Sequence, residues 1–316
     1  MSTSDSHPLS ISHSISVIIP VYNSESTLPE LVKRLQAVLS ASAREYELLL
    51  VNDGSRRPSW SVIQQLAAEY PWVRGLDLMR NYGQHNALLC GLRAARFETL
   101  VTLDDDLQNP PEELPKLLAK FNEGHDVVYG SAPSGRQSLW RELASWLIRW
   151  VLRRTMHLPA ARDASSFRVI RAPVCRAFTN YNSPFVSIDV LLSWGTSRFA
   201  AVPVAREPRR SGSSNYTFFQ LVSFALTTLT GFSIWPLRLA SIVGFGFTLF
   251  GLLVLAFILG SFFLQGRSVP GFPFLASVIA IFSGAQLFAL GIIGEYLARM
   301  HFRMMERPPY VVRKEI

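Results

Sequence analysis

The sequence predicts an α/β domain built on a mostly parallel sheet, followed by interfacial helices and two transmembrane helices. Three observations predict it. Short β-branched apolar runs alternate with segments of helical periodicity through the first part of the 316 residues, the pattern of parallel strands covered on both faces. Polar clusters fall directly after those runs, where ligands of such sheets sit. Two long stretches towards the other end carry no charged residue.

The first strand is Ile15 to Val21, closed by Pro20 and Val21. Leu28, Leu31, Val32, Leu35, Val38 and Leu39 repeat at helical spacing. A second strand, Tyr46 to Val51, runs into Asn52-Asp53-Gly54-Ser55, and Trp60 to Tyr70 is helical. Val73 to Leu78 and Thr99 to Leu103 are further strands, with a helix near His85 to Arg96 between them. A helix over Pro111 to Glu123 and a strand over Asp126 to Tyr129 complete this part. The polar clusters at the strand ends are Tyr22-Asn23, Asp53, Arg80-Asn81 and Asp104 to Gln108.

Arg141 to Arg154 places Leu143, Trp146, Leu147, Trp150 and Val151 on one stripe with arginines around it, which suits a helix lying in a membrane interface or packed on the sheet. Phe218 to Trp235, nearly uncharged, is a second interfacial candidate. No charge interrupts the chain between Arg238 and Arg267, nor from Ser268 to Gly294. A bilayer core of roughly 30 Å needs about 20 helical residues, and both stretches exceed that. Arg238 precedes the first; Arg299, Arg303, Arg307, Arg313 and Lys314 follow the second; the loop between holds only Arg267. Positive flanks favour the cytoplasm, so the expected protein sits in the cytoplasmic (inner) membrane with two spans, its large domain and both termini cytoplasmic. The expected organisation is a disordered Ser- and His-rich tail (1–14), a catalytic domain (15–215), an amphipathic juxtamembrane region (216–237), a two-helix hairpin (238–300) and a basic tail (301–316).

The net charge of +8 fits an anionic membrane surface or anionic substrate once the apolar spans are counted, and nucleic acid is not expected as a partner. Two cysteines, Cys90 and Cys175, show neither metal-ligand spacing nor a disulfide framework. No Gly-x-Gly-x-x-Gly follows the first strand, against a dehydrogenase. Gly244, Gly246 and Gly251 in the first span suit packing against other subunits, and a homo-oligomer is expected.

The strongest chemical signal is Leu103-Asp104-Asp105-Asp106-Leu107-Gln108-Asn109-Pro110-Pro111. Three carboxylates after an apolar strand are costly unpaired, and a divalent cation relieves that cost. Mg²⁺ takes few carboxylates plus phosphate oxygens and water. If the strand continues, Asp104 and Asp106 share a side and Asp105 faces the other, so Asp104 and Asp106 are the candidates for nucleotide and metal, with Gln108 as a further oxygen ligand. A solvated turn or helix cap is the bland alternative. Asp53 suits hydrogen bonds from a base or ribose, or a turn. Arg80, Asn81, Gly83 and His85, before a helix, suit phosphate. Arg136, Arg162, Arg168, Arg171, Arg206, Arg209 and Arg210 are dense, and Arg matches phosphate bidentately.

Together these segments resemble the polyprenyl-phosphate branch of the family 2 glycosyltransferases: dolichol-phosphate mannose synthases, bactoprenol glucosyltransferases and, nearest in pattern, undecaprenyl-phosphate formamido-arabinose transferases. The resemblance rests on Ser16 to Asn23, Asn52 to Ser55, Arg80 to His85, Leu103 to Glu113, Asp163 to Arg168 and Gly291 to Tyr296, and runs over nearly the whole chain beyond Ser14. It implies a GT-A fold with a Rossmann-like mixed sheet, a Mg²⁺ or Mn²⁺ ion, and inverting transfer from a nucleotide-sugar, UDP-linked by resemblance, to a polyprenyl phosphate, for cell-envelope glycan or lipid A modification. By position, Pro20, Tyr22, Asn23 and Asp53 would hold the nucleoside, Asp104, Asp106 and Gln108 the metal and diphosphate, with Asp105 also against the nucleotide-sugar, and Arg136 and Arg209 the acceptor or donor phosphates. Four positions depart from the pattern. Ser24 stands where a Glu is usual, with Glu25 one step later as its substitute; Asn52 replaces an Asp, Asp105 an Ala, and Asn215 a Lys.

Two alternatives stay open at this level. A transferase acting on a neutral lipid or polysaccharide needs a carboxylate base, for which Asp163 or Asp189 is available. A non-catalytic membrane scaffold with a degenerate nucleotide domain is the other, which the intact carboxylate run opposes.

Overall fold

The computed structural model describes residues 13–131, 165–183, 185–207, 235–265 and 271–316. Arg136, Arg162, Asp163, Arg209, Arg210, Asn215, the expected tail up to residue 12, the helix expected over 141–154 and that over 218–234 lie outside them.

Through the first unit, strands and helices alternate: β1 (Ser14–Val21), α1 (Leu28–Ser42), β2 (Glu45–Asn52), α2 (Ser59–Glu69), β3 (Val73–Leu78), α3 (Gln84–Ala94) and β4 (Thr99–Thr102). A 3₁₀ turn at Pro111–Glu113 leads into α4 (Leu114–Asn122), then β5 (Val127–Ser131). The expected single helix over 111–123 is thus split, because Pro115 enters at the start of α4, where its missing N–H costs nothing. After these come β6 (Arg168–Arg171), α5 (Ala172–Arg176), α6 (Ile188–Gly195) and β7 (Phe199–Pro203).

All the strands join one eight-stranded sheet in the order β7-β5-β6-β4-β1-β2-β3-β8, where β8 is Val312–Glu315. β4, β1, β2 and β3 run parallel. β6 is antiparallel to both β4 and β5, and β7 is parallel to β5. The sheet is therefore mixed, and the carboxyl ends of its four central parallel strands share one edge with the start of β6.

Alternation along β1 divides the core. Ile15, Val17, Ile19 and Val21 face one side with Leu28, Leu31, Leu35 and Leu39 of α1 and Leu117 of α4. Ile18 faces the other, with Leu49, Val51, and Ala87 and Leu88 of α3. Each such fully buried aliphatic side chain contributes about 1.5–3 kcal/mol. α3 lies close on the sheet because residue 91 is glycine; a Cβ there would stand 2.3 Å from Ile18 Cγ2.

The segment expected as a basic tail instead supplies β8, antiparallel to β3. Gly75 and Ile316 exchange both backbone hydrogen bonds at 3.0 Å, Arg74 reaches Glu315 at 2.6 Å, and the Arg93 guanidinium lies over the Tyr310 ring. The chain divides into two compact units, one of 1–215 with 306–316 and the other of 216–305.

In the second unit, α7 (Trp235–Gln265) and α8 (Phe272–Met304) are long and apolar enough to cross a membrane over Pro236–Phe257 and Ile281–His301. They fit a membrane protein. Gly251 of α7 admits the Phe282 ring of α8, and Phe247 meets that ring edge-on at 5.8 Å. Of the three glycines expected to pack against other subunits, Gly251 instead meets α8 of the same chain, while among the described residues nothing lies within 4 Å of a Cβ placed at Gly244 or Gly246.

Candidate active site

Four loops leave the carboxyl ends of β1, β2, β3 and β4, and hydrogen bonds tie each to the next. Pro20 is buried at the end of β1, paired in register with Val51. Tyr22 follows with its ring exposed, while its backbone N–H donates to Asp105 Oδ2 at 3.1 Å. Asn23 takes a left-handed φ of 57°, a conformation Asn tolerates better than most side chains. From it the backbone N–H donates to Ser55 Oγ, and its Oδ1 accepts the N–H groups of Arg56 and Arg57. Glu25 pairs with Arg57 at 3.3 Å.

Asp53, at the end of β2, is 3% exposed. Its two oxygens accept the Tyr82 and Gly83 N–H groups at 2.7 and 2.9 Å. Burial pushes its carboxyl up and those two amides oppose the push. The backbone N–H of Gly83, one of the residues the sequence offers to phosphate, thus already serves Asp53. Gly54 has φ +59°, and a Cβ there would stand 2.3 Å from the Arg80 carbonyl carbon; only glycine lets the second loop touch the third. Arg80 stays exposed with its guanidinium over the Tyr82 ring, and Asn81 Oδ1 accepts the Gly83 N–H.

The carboxylate run forms the fourth loop. β4 stops at Thr102 and a turn spans Asp105 and Asp106, so the expected strand alternation does not set the directions of the three carboxylates. The turn does. Asp104 accepts Gln84 Nε2 at 2.6 Å and the Ser166 hydroxyl. Asp105 turns to the first loop, where its carbonyl also accepts Thr27 Oγ1 at 2.7 Å. Asp106 accepts both the backbone N–H and Nε2 of Gln108, at 3.1 and 2.6 Å, and Gln108 Oε1 accepts Arg206 at 2.8 Å. Leu107, 2% exposed with φ 60°, anchors the loop in the core at the cost of backbone strain. Behind the loop, Arg34 of α1 forks onto Glu112 at 2.9 and 2.7 Å and reaches Glu207.

Burial pushes the Asp104 carboxyl up, Ser166 opposes it, and the neighbouring Asp106 charge adds to it. Burial likewise raises Asp105 to about 6, against the Ser24 hydroxyl and the Tyr22 amide. Asp104, crowded by the Asp106 charge and met by the Ser166 hydroxyl and the Gln84 amide, offers with Asp106 the oxygen donors a divalent cation fits. Among the described residues no group of three or more His, Cys, Asp or Glu is placed to hold a metal ion by itself.

Ser166 and Gln84 are site residues that sequence reasoning missed, although both lie inside the segments it singled out. Two of the arginines whose type suits phosphate are committed elsewhere. Arg168 is 2% exposed and pairs with Asp189 at 2.5 Å; Arg171, at the far end of β6, pairs with Asp126 and covers the Phe121 ring. Asp189, the alternative base, has the same oxygen held by Arg168 and by the Tyr129 hydroxyl at 2.9 Å.

Residues 16–175 match the family model described as glycosyl transferase family 2. Relatives named undecaprenyl-phosphate 4-deoxy-4-formamido-L-arabinose transferase are 38% identical in Shewanella sediminis, over 95% of this chain and 91% of theirs. In Enterobacter sp. the identity is 36%, over 96% and 94%. Among solved structures, glucosyl-3-phosphoglycerate synthase from Mycobacterium tuberculosis, in complex with Mn²⁺, UDP and glucosyl-3-phosphoglycerate, superposes with a TM-score of 0.53 at 17% identity, covering 69% of this chain and 78% of that one. The likeness is one of fold, and the fold is GT-A.

Proposed function

The chain belongs to glycosyl transferase family 2, and on that premise we propose that it transfers a sugar from a UDP-linked donor to the phosphate of a polyprenyl phosphate at a membrane surface. The observation that carries the reading is the convergence of the Tyr22, Asp53, Arg80 and Asp104 loops at one end of the parallel strands. The relatives' shared name, over nearly the whole chain, supports the lipid phosphate acceptor and makes 4-deoxy-4-formamido-L-arabinose the first sugar to test.

A phosphate monoester has a second pKa of about 6 and is mostly dianionic at neutral pH. Such a nucleophile needs no strong general base, in keeping with Asp189 being held by Arg168 and Tyr129. An acceptor phosphate oxygen forms the new bond to the anomeric carbon. The bond from that carbon to the donor diphosphate breaks, and the nucleoside diphosphate leaves with the electron pair. One displacement inverts the anomeric centre. What the protein supplies is placement and charge compensation. Asp104, Asp106 and Gln108 would hold a Mg²⁺ or Mn²⁺ ion, which when bound stabilises charge on the diphosphate. Pro20, Tyr22, Asn23, Glu25 and Asp53 would form the nucleoside end, with Asp105 bracing the Tyr22 loop. Arg80, Asn81 and Gly83 border the phosphates, and Arg136 and Arg209 would meet the acceptor.

α7 and α8 would anchor this site beside an acceptor whose tail stays in the bilayer, with the catalytic unit on the cytoplasmic side of the inner membrane. The test is direct. Membranes carrying the protein are incubated with undecaprenyl phosphate and a panel of nucleotide-sugars, and the lipid product is weighed by mass spectrometry. A sugar-phosphate lipid from one donor is expected; transfer only to neutral lipids, or to none, overturns the reading.

A further inference from the structure

Asn52 and Asp77 are buried polar side chains on neighbouring strands, outside the loops that carry the chemistry. They are direct partners in the parallel register of β2 and β3, and they are 3% and 4% exposed. Asn52 Nδ2 donates to Asp77 Oδ1 at 2.7 Å. Its other end, Oδ1, accepts the Ser55 N–H at 3.4 Å. The chemistry fixes which way the amide points, since a carboxylate can only accept and a backbone N–H can only donate.

The far oxygen of Asp77 faces β8. Arg313 lies 3.5 Å from Asp77 Oδ2 and donates to the Met79 carbonyl at 2.8 Å. Among the described residues Asp77 has these two partners, one neutral amide and one cation. A buried carboxylate with a neutral donor alone is expensive, and the guanidinium offsets that cost. Downstream, Ser55 accepts the Asn23 N–H, while Asp53, adjacent to Asn52, accepts Tyr82 and Gly83. The amide of Asn52 therefore sits between β8 and three of the four loops of the proposed donor site.

We infer that Arg313, Asp77 and Asn52 are positioning residues, a relay by which the C-terminal strand fixes the Asp53-Gly54-Ser55 turn for nucleotide-sugar binding. The inference rests on the donor-site reading above. None of the three side chains touches the reacting atoms; each acts through the next.

The experiment is steady-state kinetics of the full-length protein in detergent, varying donor and acceptor separately, with melting temperature recorded for each variant. Arg313 is largely exposed, so Arg313→Ala is expected to fold. Loss of one charge-assisted contact in that variant should raise the donor KM by about threefold to tenfold, leaving kcat and the acceptor KM within about twofold, and Arg313→Lys should restore most of the loss. Asn52→Asp sets two buried carboxylates against each other and should raise the donor KM by more than about tenfold or prevent folding. The transposed pair, Asn52→Asp with Asp77→Asn, restores one donor facing one acceptor and should return the donor KM to within about threefold of the parent.

An unchanged donor KM in Arg313→Ala overturns the relay. So does a variant in which kcat and melting temperature fall while both KM values rise together, which marks a purely structural contact. Failure of the transposed pair to recover what Asn52→Asp loses overturns it as well. A parent protein that saturates with no nucleotide-sugar sinks the donor-site reading itself, and the relay's purpose with it.

Discussion

The guanidinium of Arg168 lies 2.5 Å from the carboxylate of Asp189, with the arginine almost wholly buried. The Tyr129 hydroxyl shares the same oxygen, and Arg168 Nε finds no partner among the described residues. Removing one member of a buried pair strands the other's charge, at about 3–5 kcal/mol. Arg168→Met should therefore lower stability by that order, and adding Asp189→Leu should recover part of it. Thermal or urea unfolding of the single and double variants reads this directly; strictly additive losses would show the two residues uncoupled.

His85 predicts a pH dependence. Its Nδ1 accepts the Ile188 N–H at 3.4 Å, and burial holds the imidazole below its ordinary 6.5, with Asp189 opposing and Arg168 reinforcing the shift. Below pH 6.5 the unfolded chain takes up a proton that the native state refuses. Stability should fall as pH drops through that value towards the depressed folded pKa, and stay level for this group above it. Melting temperatures of the parent and His85→Gln between pH 8 and 5 should converge on the acid side; parallel curves across the range would exclude His85 as the source.

At the proposed metal site, Asp106→Ala should abolish transfer with the fold retained, a loss of about 10²–10³ in kcat or more. A chelator should do the same to the parent, reversed by Mg²⁺ or Mn²⁺. Near-normal activity in Asp106→Ala, with circular dichroism unchanged, would remove Asp106 from the site.

Gly54→Ala tests the contact between the second and third loops. The left-handed φ and the 2.3 Å approach to Arg80 together predict about 1–3 kcal/mol of destabilisation and weaker UDP binding. Calorimetry showing parent-like affinity in this variant would mean the loops need not touch for the nucleotide to bind.

Much of this was legible in the residues. Strands β1 to β4 announce themselves as apolar runs closed by polar clusters, and the parallel order follows from the helices between them. The direction of the carboxylates was not legible, because β4 stops at Thr102 and a turn spans Asp105 and Asp106 where the residues extrapolate to a strand. Arg168 reads as a surface cation by type; its place in Phe167-Arg168-Val169-Ile170, amid apolar neighbours, is the signal that it lies inside. Gln84 and Ser166 carry no chemical signature and become visible only when the start of β6 meets the end of β4. β8 was missed because its residues, Val312-Arg313-Lys314-Glu315, look like a solvated tail; what makes them a strand is the open edge of β3, far away in sequence.

That edge has a consequence for biogenesis. β3 is made before either apolar helix, yet its last neighbour in the sheet is encoded beyond both. During synthesis the nascent sheet waits with an unpaired border until both apolar helices have been made, so completion of the first unit follows completion of the second.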